Sequence, residues 1–352
     1  MMKKSNVLTF CTWTSIGSIL QSYGLKKALE QVGCESTILL PEGYNAFITT
    51  RVRSVKSLIS RSYQILIHRA RTAAHQKRCC FIDRKLDVLY YKDYAALEEI
   101  GSEPDGCCYI AGSDQIWNPD RCYRHFFLDF VRDHRCISYA ASMGTTEIPE
   151  KNREKLRSYL RKFDCISVRE EQCREALQLL TDQDIRVHID PTFLLRQEQW
   201  RSLEQPYPVT GHYILVYMIY WDPACKVQLQ ELKRRTGLPV YAVCSSLSRV
   251  YADHRLFDVG VEEFLWLVDH ASYVVTSSFH GAAMSVIFEK KFAAVVNPTA
   301  PSRLRNLLDT LAIPLVPIRE LDTSHFSYDT IRGRITAERS RGLDYLSEAI
   351  SK

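Results

Sequence analysis

The 352-residue chain lacks a long apolar run: the longest, 213–221, has nine residues, about half of what a helix needs to cross a bilayer. No part of the sequence reads as membrane-spanning. Residues 1–4 carry two lysines, but no long apolar stretch follows them, so a secretory leader is not expected and the protein reads as cytoplasmic. No CxxC spacing occurs among the twelve cysteines, and the adjacent pairs Cys79/Cys80 and Cys107/Cys108 are poorly placed to share a tetrahedral metal. These cysteines read as small buried apolar residues, with no metal expected. Four motifs are also missing: GxGxxG, GxxxxGK[ST], HExxH and GxSxG. An ordinary dinucleotide fold, a P-loop, a zincin and a nucleophile-elbow hydrolase are therefore unsupported. Finally, acidic residues disappear between 51 and 82, where Arg51, Arg53, Lys56, Arg61, Arg69, Arg71, Lys77 and Arg78 stand without one Asp or Glu. Such a segment attracts anionic surfaces. It reads either as a basic amphipathic helix lying on lipid headgroups at the inner face of the plasma membrane or as a solvated helical excursion over the core. With neither a recognised module nor a stacking pattern, nucleic-acid binding is not expected.

What remains is ample for two ordinary cores: 46% of residues are hydrophobic, and the length suits two domains. Short β-rich runs alternate with helical ones. A strand over 7–10 leads through a polar turn into helical spacing at Ile16, Ile19, Leu20, Tyr23, Leu25, Ala28, Leu29 and Val32, until Gly33 stops it and a strand resumes over 37–40. Strands follow over 107–111, 136–140, 165–168 and 187–189, with helices over 151–163 and 170–180. After a polar stretch at 205–208 the alternation restarts: strands 212–220, 239–243, 272–276 and 292–296, helices 224–236, 261–269 and 279–288, and a last helix over 337–347. This pattern predicts an α/β protein of two doubly wound Rossmann-like domains facing across a cleft: 1–200 with the basic segment 51–82, then 205–335, then a C-terminal helix 336–352.

Three groups of residues place chemistry at such a cleft. Gly112, Ser113 and Asp114 follow an apolar strand; glycine lets the chain turn, and Asp114 is the candidate base or sugar-hydroxyl acceptor, although a plain capped turn reads equally well. Ser278 is placed to cap a helix whose first turn holds His280, so backbone amides, helix dipole and imidazole could meet an anion together. Arg169 follows a strand, and Arg303 and Arg305 follow the loop after the last strand; guanidinium forks match carboxylate and phosphate oxygens.

The stretch 9–29 with Gly17, Leu20, Gln21 and Tyr23, the run Gly112-Ser113-Asp114-Gln115-Ile116-Trp117-Asn118-Pro119, Ser138-Tyr139-Ala140-Ala141-Ser142, Ser167-Val168-Arg169-Glu170, Asp190-Pro191-Thr192, and Ser277-Ser278-Phe279-His280-Gly281 through 292 together resemble the polysaccharide pyruvyl transferase family, from about residue 7 to 310. The resemblance implies a GT-B-like fold and transfer of a pyruvyl group from phosphoenolpyruvate to a glycan or lipid-linked glycan as a cyclic ketal, with no cofactor. By that resemblance His280, Arg169 and Arg303 belong to the donor side, and Gly112, Ser113 and Asp114 match the family's glycine-serine-aspartate motif. The chemistry requires an acid, a base and charge neutralisation: His280 on the phosphate or as acid, Asp114 on the acceptor hydroxyl, Arg169 with Arg303 or Arg305 on the anionic groups. Two other readings stay open on the same frame: a glycosyltransferase using a nucleotide sugar, and a catalytically silent carbohydrate-binding protein.

Overall fold

The computed structural model describes residues 3–43, 58–104, 106–244, 250–297 and 302–351. Apolar strands buried on both faces build two parallel sheets. The first joins β1 (Lys3–Leu8), β2 (Cys34–Pro41), β3 (Val88–Tyr91), β4 (Cys108–Ala111) and β5 (Cys136–Ser138) in the order β3-β2-β1-β4-β5. Isolated bridges from Ile137 to Cys165 and from Ala141 to Val168 continue it into the pair β6 (Ile166–Val168) and β7 (Ile185–Val187). In the second, β8 (Ile214–Tyr217), β9 (Val240–Val243), β10 (His254–Leu256), β11 (Tyr273–Thr276) and β12 (Lys291–Ala294) repeat the same permutation, β10-β9-β8-β11-β12. Strand order therefore reverses between β1 and β4 and again between β8 and β11. In open α/β sheets ligands bind at such reversals, beyond the carboxyl ends of the strands.

The helices of the first half are α1 (Ile16–Gln31), α2 (Leu58–Lys85), α3 (Tyr94–Ile100), α4 (Glu150–Leu160), α5 (Glu171–Gln178) and α6 (Gln197–Arg201). Those that follow are α7 (Ala224–Thr236), α8 (Val261–Asp269), α9 (Phe279–Ile287), α10 (Ser302–Leu311) and α11 (Tyr328–Ser351). None of the described helices is long and apolar enough to cross a membrane.

Helix α1 is buried around most of its circumference, Gln21 and Ser22 included, because it packs on its own sheet on one side and on α9 on the other. Its buried amide nitrogen is bonded locally: Gln21 Nε2 donates to Thr9 Oγ1 at 2.9 Å and to the Phe10 carbonyl at 2.7 Å, fixing the β1–α1 loop. The second half of the 112–119 run is framework. Trp117 is fully buried, stacks on Phe127 at 5.3 Å, and donates from Nε1 to the Phe126 carbonyl. Burying a side chain of that size contributes about 3 kcal/mol.

Two sequence expectations change. Along its described length the basic segment is a helix lying over the core with Leu66, Arg69 and Cys80 exposed, and it is anchored more firmly than a solvated excursion: Ile67 is buried in the second domain's core, Lys77 Nζ pairs with Glu263 at 2.5 Å, Arg84 pairs with Glu262, and Arg78 donates to the Val259 and Trp13 carbonyls. Residues 51–57 of that segment lie outside those described. The expected break at 335/336 falls inside α11, one continuous helix that returns to the first domain. There Tyr345 Oη donates to the Ser138 carbonyl at 2.9 Å, Arg339 donates to the Phe193 and Leu195 carbonyls, and Arg135 donates to the carbonyl of Ala349. A buried anchor of this kind holds the helix more firmly than its own propensity would.

Candidate functional site

At the first reversal, the chain leaves β4 through Gly112. A Cβ there would stand 2.7 Å from that of Thr9, so no larger residue fits. Ser113 is fully buried; its hydroxyl donates to the Ala140 carbonyl at 2.8 Å and lies 3.3 Å from Asp190 Oδ2, while its own carbonyl accepts from Thr9 Oγ1. Both residues, expected to touch substrate, are buried here, with Ser113 bonded within the protein. Asp114 follows in the left-handed region at φ 70°, tolerated because its short carboxylate accepts from the next backbone amide, Gln115 N, at 2.9 Å. This turns Asp114 towards the cleft. Its Oδ1 stands 4.0 Å from Arg169 Nη2 and 3.9 Å from Arg303 Nη1.

Arg169, at the end of β6, is almost wholly buried. Nη1 donates to Asp190 Oδ2 at 2.7 Å and Nε to Glu170 Oε1 at 3.0 Å, while the guanidinium lies 4.3 Å above the Phe279 ring. Asp190 is the centre of the cluster, and sequence reasoning gave it no role. Beyond β7, its Oδ1 accepts from the amide and hydroxyl of Thr192 at 3.0 and 2.9 Å, and its Oδ2 meets Arg169 and stands 3.7 Å from His280 Nε2. Burial alone would raise the Asp190 carboxyl; the His280 imidazole, the Arg169 guanidinium and the Thr192 amide outweigh it and hold it below the usual carboxylate range. The available signal was Asp-Pro-Thr after a strand, an aspartate capping a turn led by proline. Burial likewise works against the Arg169 charge, and Glu170, Asp190 and Asp114 more than restore it.

At the second reversal, Ser278 caps α9 by accepting from Gly281 N at 3.3 Å. His280 follows in the first turn, buried, against the first turn of α1. The fit there is tight: a Cβ on Gly17 would stand 2.3 Å from His280 Nδ1 and 2.9 Å from its Cβ. Gly17 is thus a site residue that the sequence showed only as part of the resemblance. Tyr217, ending β8, joins this region; burial raises its phenol, and Arg78 and the Ser278 hydroxyl act in the opposite sense.

Arg303 opens α10 and faces Asp114, whereas Arg305 is exposed and takes no part in the cluster's described contacts. Helical geometry explains the split: at about 100° per residue, position 305 lies on the opposite side of α10 from 303. Burial and the neighbouring Arg169 both push the Arg303 guanidinium down.

The structure thus gathers Asp114, Arg169, His280 and Arg303, as the sequence suggested, and adds Asp190 and Glu170. The added carboxylates alter the electrostatics. Two guanidiniums face three carboxylates, so the pocket is not a bare cationic cradle. Its capacity for an anion lies in particular atoms: Arg169 Nη2, Arg303 Nε and His280 Nε2 are buried and lack a hydrogen-bond partner. Buried donors are normally paired, so three orphans in one cluster suit a ligand with several acceptor oxygens.

Two Rossmann-like domains, a cleft at both strand reversals and a terminal helix crossing back define the GT-B fold. Among solved structures, the chain is similar to the UDP-GlcNAc 2-epimerase from Neisseria meningitidis, with TM-score 0.53 and 10% identity over 99% of this chain and 94% of that one. It is also similar to an α-glucosyltransferase solved with UDP and a 13-mer DNA, with TM-score 0.51 and 9% identity over the whole of both chains. A glycosyltransferase involved in avilamycin A biosynthesis gives TM-score 0.51 and 9% identity over 99% of this chain and 98% of that one. At such identities the likeness concerns the fold alone. No curated protein sequence matches the chain. The sequence profile of the polysaccharide pyruvyl transferase family matches residues 16–298, most of the chain, and the protein belongs to that family. It is a transferase.

Proposed function

We propose that this transferase moves the pyruvyl group of phosphoenolpyruvate onto a sugar of a polysaccharide or its precursor as a cyclic ketal. One observation supports the reading most: the orphan nitrogens of Arg169, Arg303 and His280 lie beside the carboxylates of Asp190 and Asp114, so anion binding and proton transfer share one site. In the proposed sequence, His280 protonates the methylene carbon of the donor and leaves an oxocarbenium-like centre at its neighbour, with Asp190 facing the imidazole at 3.7 Å. A first sugar hydroxyl adds to that centre and yields its proton to Asp114. Phosphate then departs, held by the guanidiniums and carrying off the proton from Asp114, and a second hydroxyl closes the ketal and returns its proton to His280. One donor and one sugar diol give one ketal and one inorganic phosphate.

The acceptor is a glycan, free or lipid-linked, and the setting is cytoplasmic, which fits twelve cysteines present as free thiols. Peripheral membrane contact through 51–82 stays a proposal that rests on Arg69, which is exposed, and on residues 51–57 outside those described, since Lys77 and Arg78 are engaged within the protein.

The purified protein, incubated with phosphoenolpyruvate and a glycan panel, should release phosphate and add a ketal mass to one sugar, and His280→Ala should lower turnover about a hundredfold. A twofold loss removes His280 as the acid. Phosphoenolpyruvate should raise the melting temperature; a rise produced only by a nucleotide sugar would replace this reading with a glycosyltransferase.

A further inference from the structure

Next to the cluster lies a separate cavity of about 230 Å³, between the ends of β6 and β7, α10 and α11. It shares Arg169, Asp190 and Phe279 with the site described above, and Asn306, Thr310, Glu338 and Arg341 bound its other side. On α10, positions 303, 306 and 310 fall within about 60° of one another, so one face of the helix runs from the Arg303–Asp114 contact into this cavity.

Size and charge together restrict what it can hold. The volume is below the roughly 300–1,000 Å³ of drug-sized pockets. That suits one pyranose ring and excludes a nucleotide. Charge then separates a sugar from a compact anion. Its charges are already paired within the protein: Asp190 with Arg169, Glu338 with Arg341 and Glu171 with Arg174, so the wall is close to neutral. Burial, with Arg341 and Arg186, pushes the His188 imidazole on its wall down to about 4, so that group adds no positive charge near neutrality. A trianionic donor is matched less well here than at the main site, because the unpartnered nitrogens of Arg303 and His280 lie there and neither residue lines this cavity. A neutral polyol would find carboxylate and carboxamide acceptors and the hydroxyl of Thr310, all capable of hydrogen bonds to sugar hydroxyls.

We infer that this cavity is the subsite for a single neutral sugar ring, placing its hydroxyls next to Arg169, whose Nη2 stands 4.0 Å from the Asp114 carboxylate, while the anionic donor occupies the side bounded by His280 and Arg303. The inference rests on the proposed function for naming that sugar the acceptor; the pocket itself does not depend on the donor. Thr310 is half-exposed, so Thr310→Phe fills the cavity from its rim without overpacking the core, and Asn306→Leu removes a polar wall while keeping approximate size.

The test measures binding of methyl gluco-, galacto- and mannopyranosides by saturation-transfer NMR in the absence of donor. Wild type should bind at least one at millimolar concentration, and each variant should weaken that binding at least tenfold, while the melting-temperature rise produced by phosphoenolpyruvate persists. Failure of all three glycosides to bind wild type, or unchanged binding in both variants with melting temperatures near wild type, overturns the subsite. Should sugar binding depend on Thr310 and Asn306 while phosphoenolpyruvate has no effect on wild type, the subsite stands and the donor assignment falls.

Discussion

Replacing Gly17 by Ala adds one methyl group at the contact between the domains. The new carbon would lie 2.3 Å from His280 Nδ1, 2.6 Å from Cγ and 2.9 Å from Cβ, where ordinary contact begins at 3.4 Å. Turning the imidazole about its first torsion moves Nδ1 but leaves Cβ where it is, so relief requires a backbone shift between α1 and α9 of roughly 0.5–1 Å. Overpacking of this kind costs about 1–3 kcal/mol, and alanine in place of a helical glycine returns at most about 1 kcal/mol. Net destabilisation is therefore about 0–2 kcal/mol, a few degrees in melting temperature. Catalysis is far more sensitive, because a 1 Å displacement of a reacting group can cost about a hundredfold. The expected result is a small melting shift with turnover of phosphoenolpyruvate reduced about a hundredfold, measured by phosphate release and calorimetry on the same preparation. Turnover within threefold of wild type would refute the view that His280 must be held where Gly17 now allows it.

The two arginines of α10 should separate cleanly: Arg303→Ala raises KM for phosphoenolpyruvate at least tenfold by removing an orphan donor, about 1.4 kcal/mol or more, whereas Arg305→Ala stays within twofold, and equal effects would contradict the placement of α10. Glu204 supplies a test of stability against pH. Burial, with the Asp269 carboxylate beside it, pushes its carboxyl up to about 7, although Arg201 and Lys290 act in the opposite sense. The folded state thus holds this proton more tightly than the unfolded chain, and the associated stability, complete below about pH 4.3, is lost as pH rises through 7. Glu204→Gln should raise the melting temperature by about 2–4 °C at pH 8 and by less at pH 5; an equal gain at both would exclude the carboxylate pair as its cause.

Much of the fold was legible because parallel strands buried on both faces appear as short apolar runs. The runs at 136–138, 166–168, 240–243 and 273–276 are of that kind, with α7 and α8 carrying clear helical spacing between them. Weak signals mark what escaped. Strand β3 is an edge strand with Leu89 and Tyr90 exposed, β10 opens with His254 and Arg255 on solvent, and α10 begins at the margin of a stretch whose loop, 298–301, lies outside the described residues. Within the site, His280, Arg169 and Asp114 were found because each follows a strand in a polar turn. The Asp-Pro-Thr turn marks the local contact of Asp190 with Thr192, but its centrality was not legible, because Arg169 and His280 reach it from two distant segments. Arg305 was included for the converse reason: sequence proximity to Arg303 carries no information about which side of a helix a residue occupies.

The polypeptide passes between the halves at 188–213 and returns along α11, and two fixed points define a line. Swinging about that line would part α1 from α9 where Gly17 meets His280, and sliding one sheet past the other would drag Tyr345 away from the Ser138 carbonyl. The inferred sugar subsite is bounded by Glu338 and Arg341 of α11, so the same helix that ties the halves together also forms one wall of the cavity.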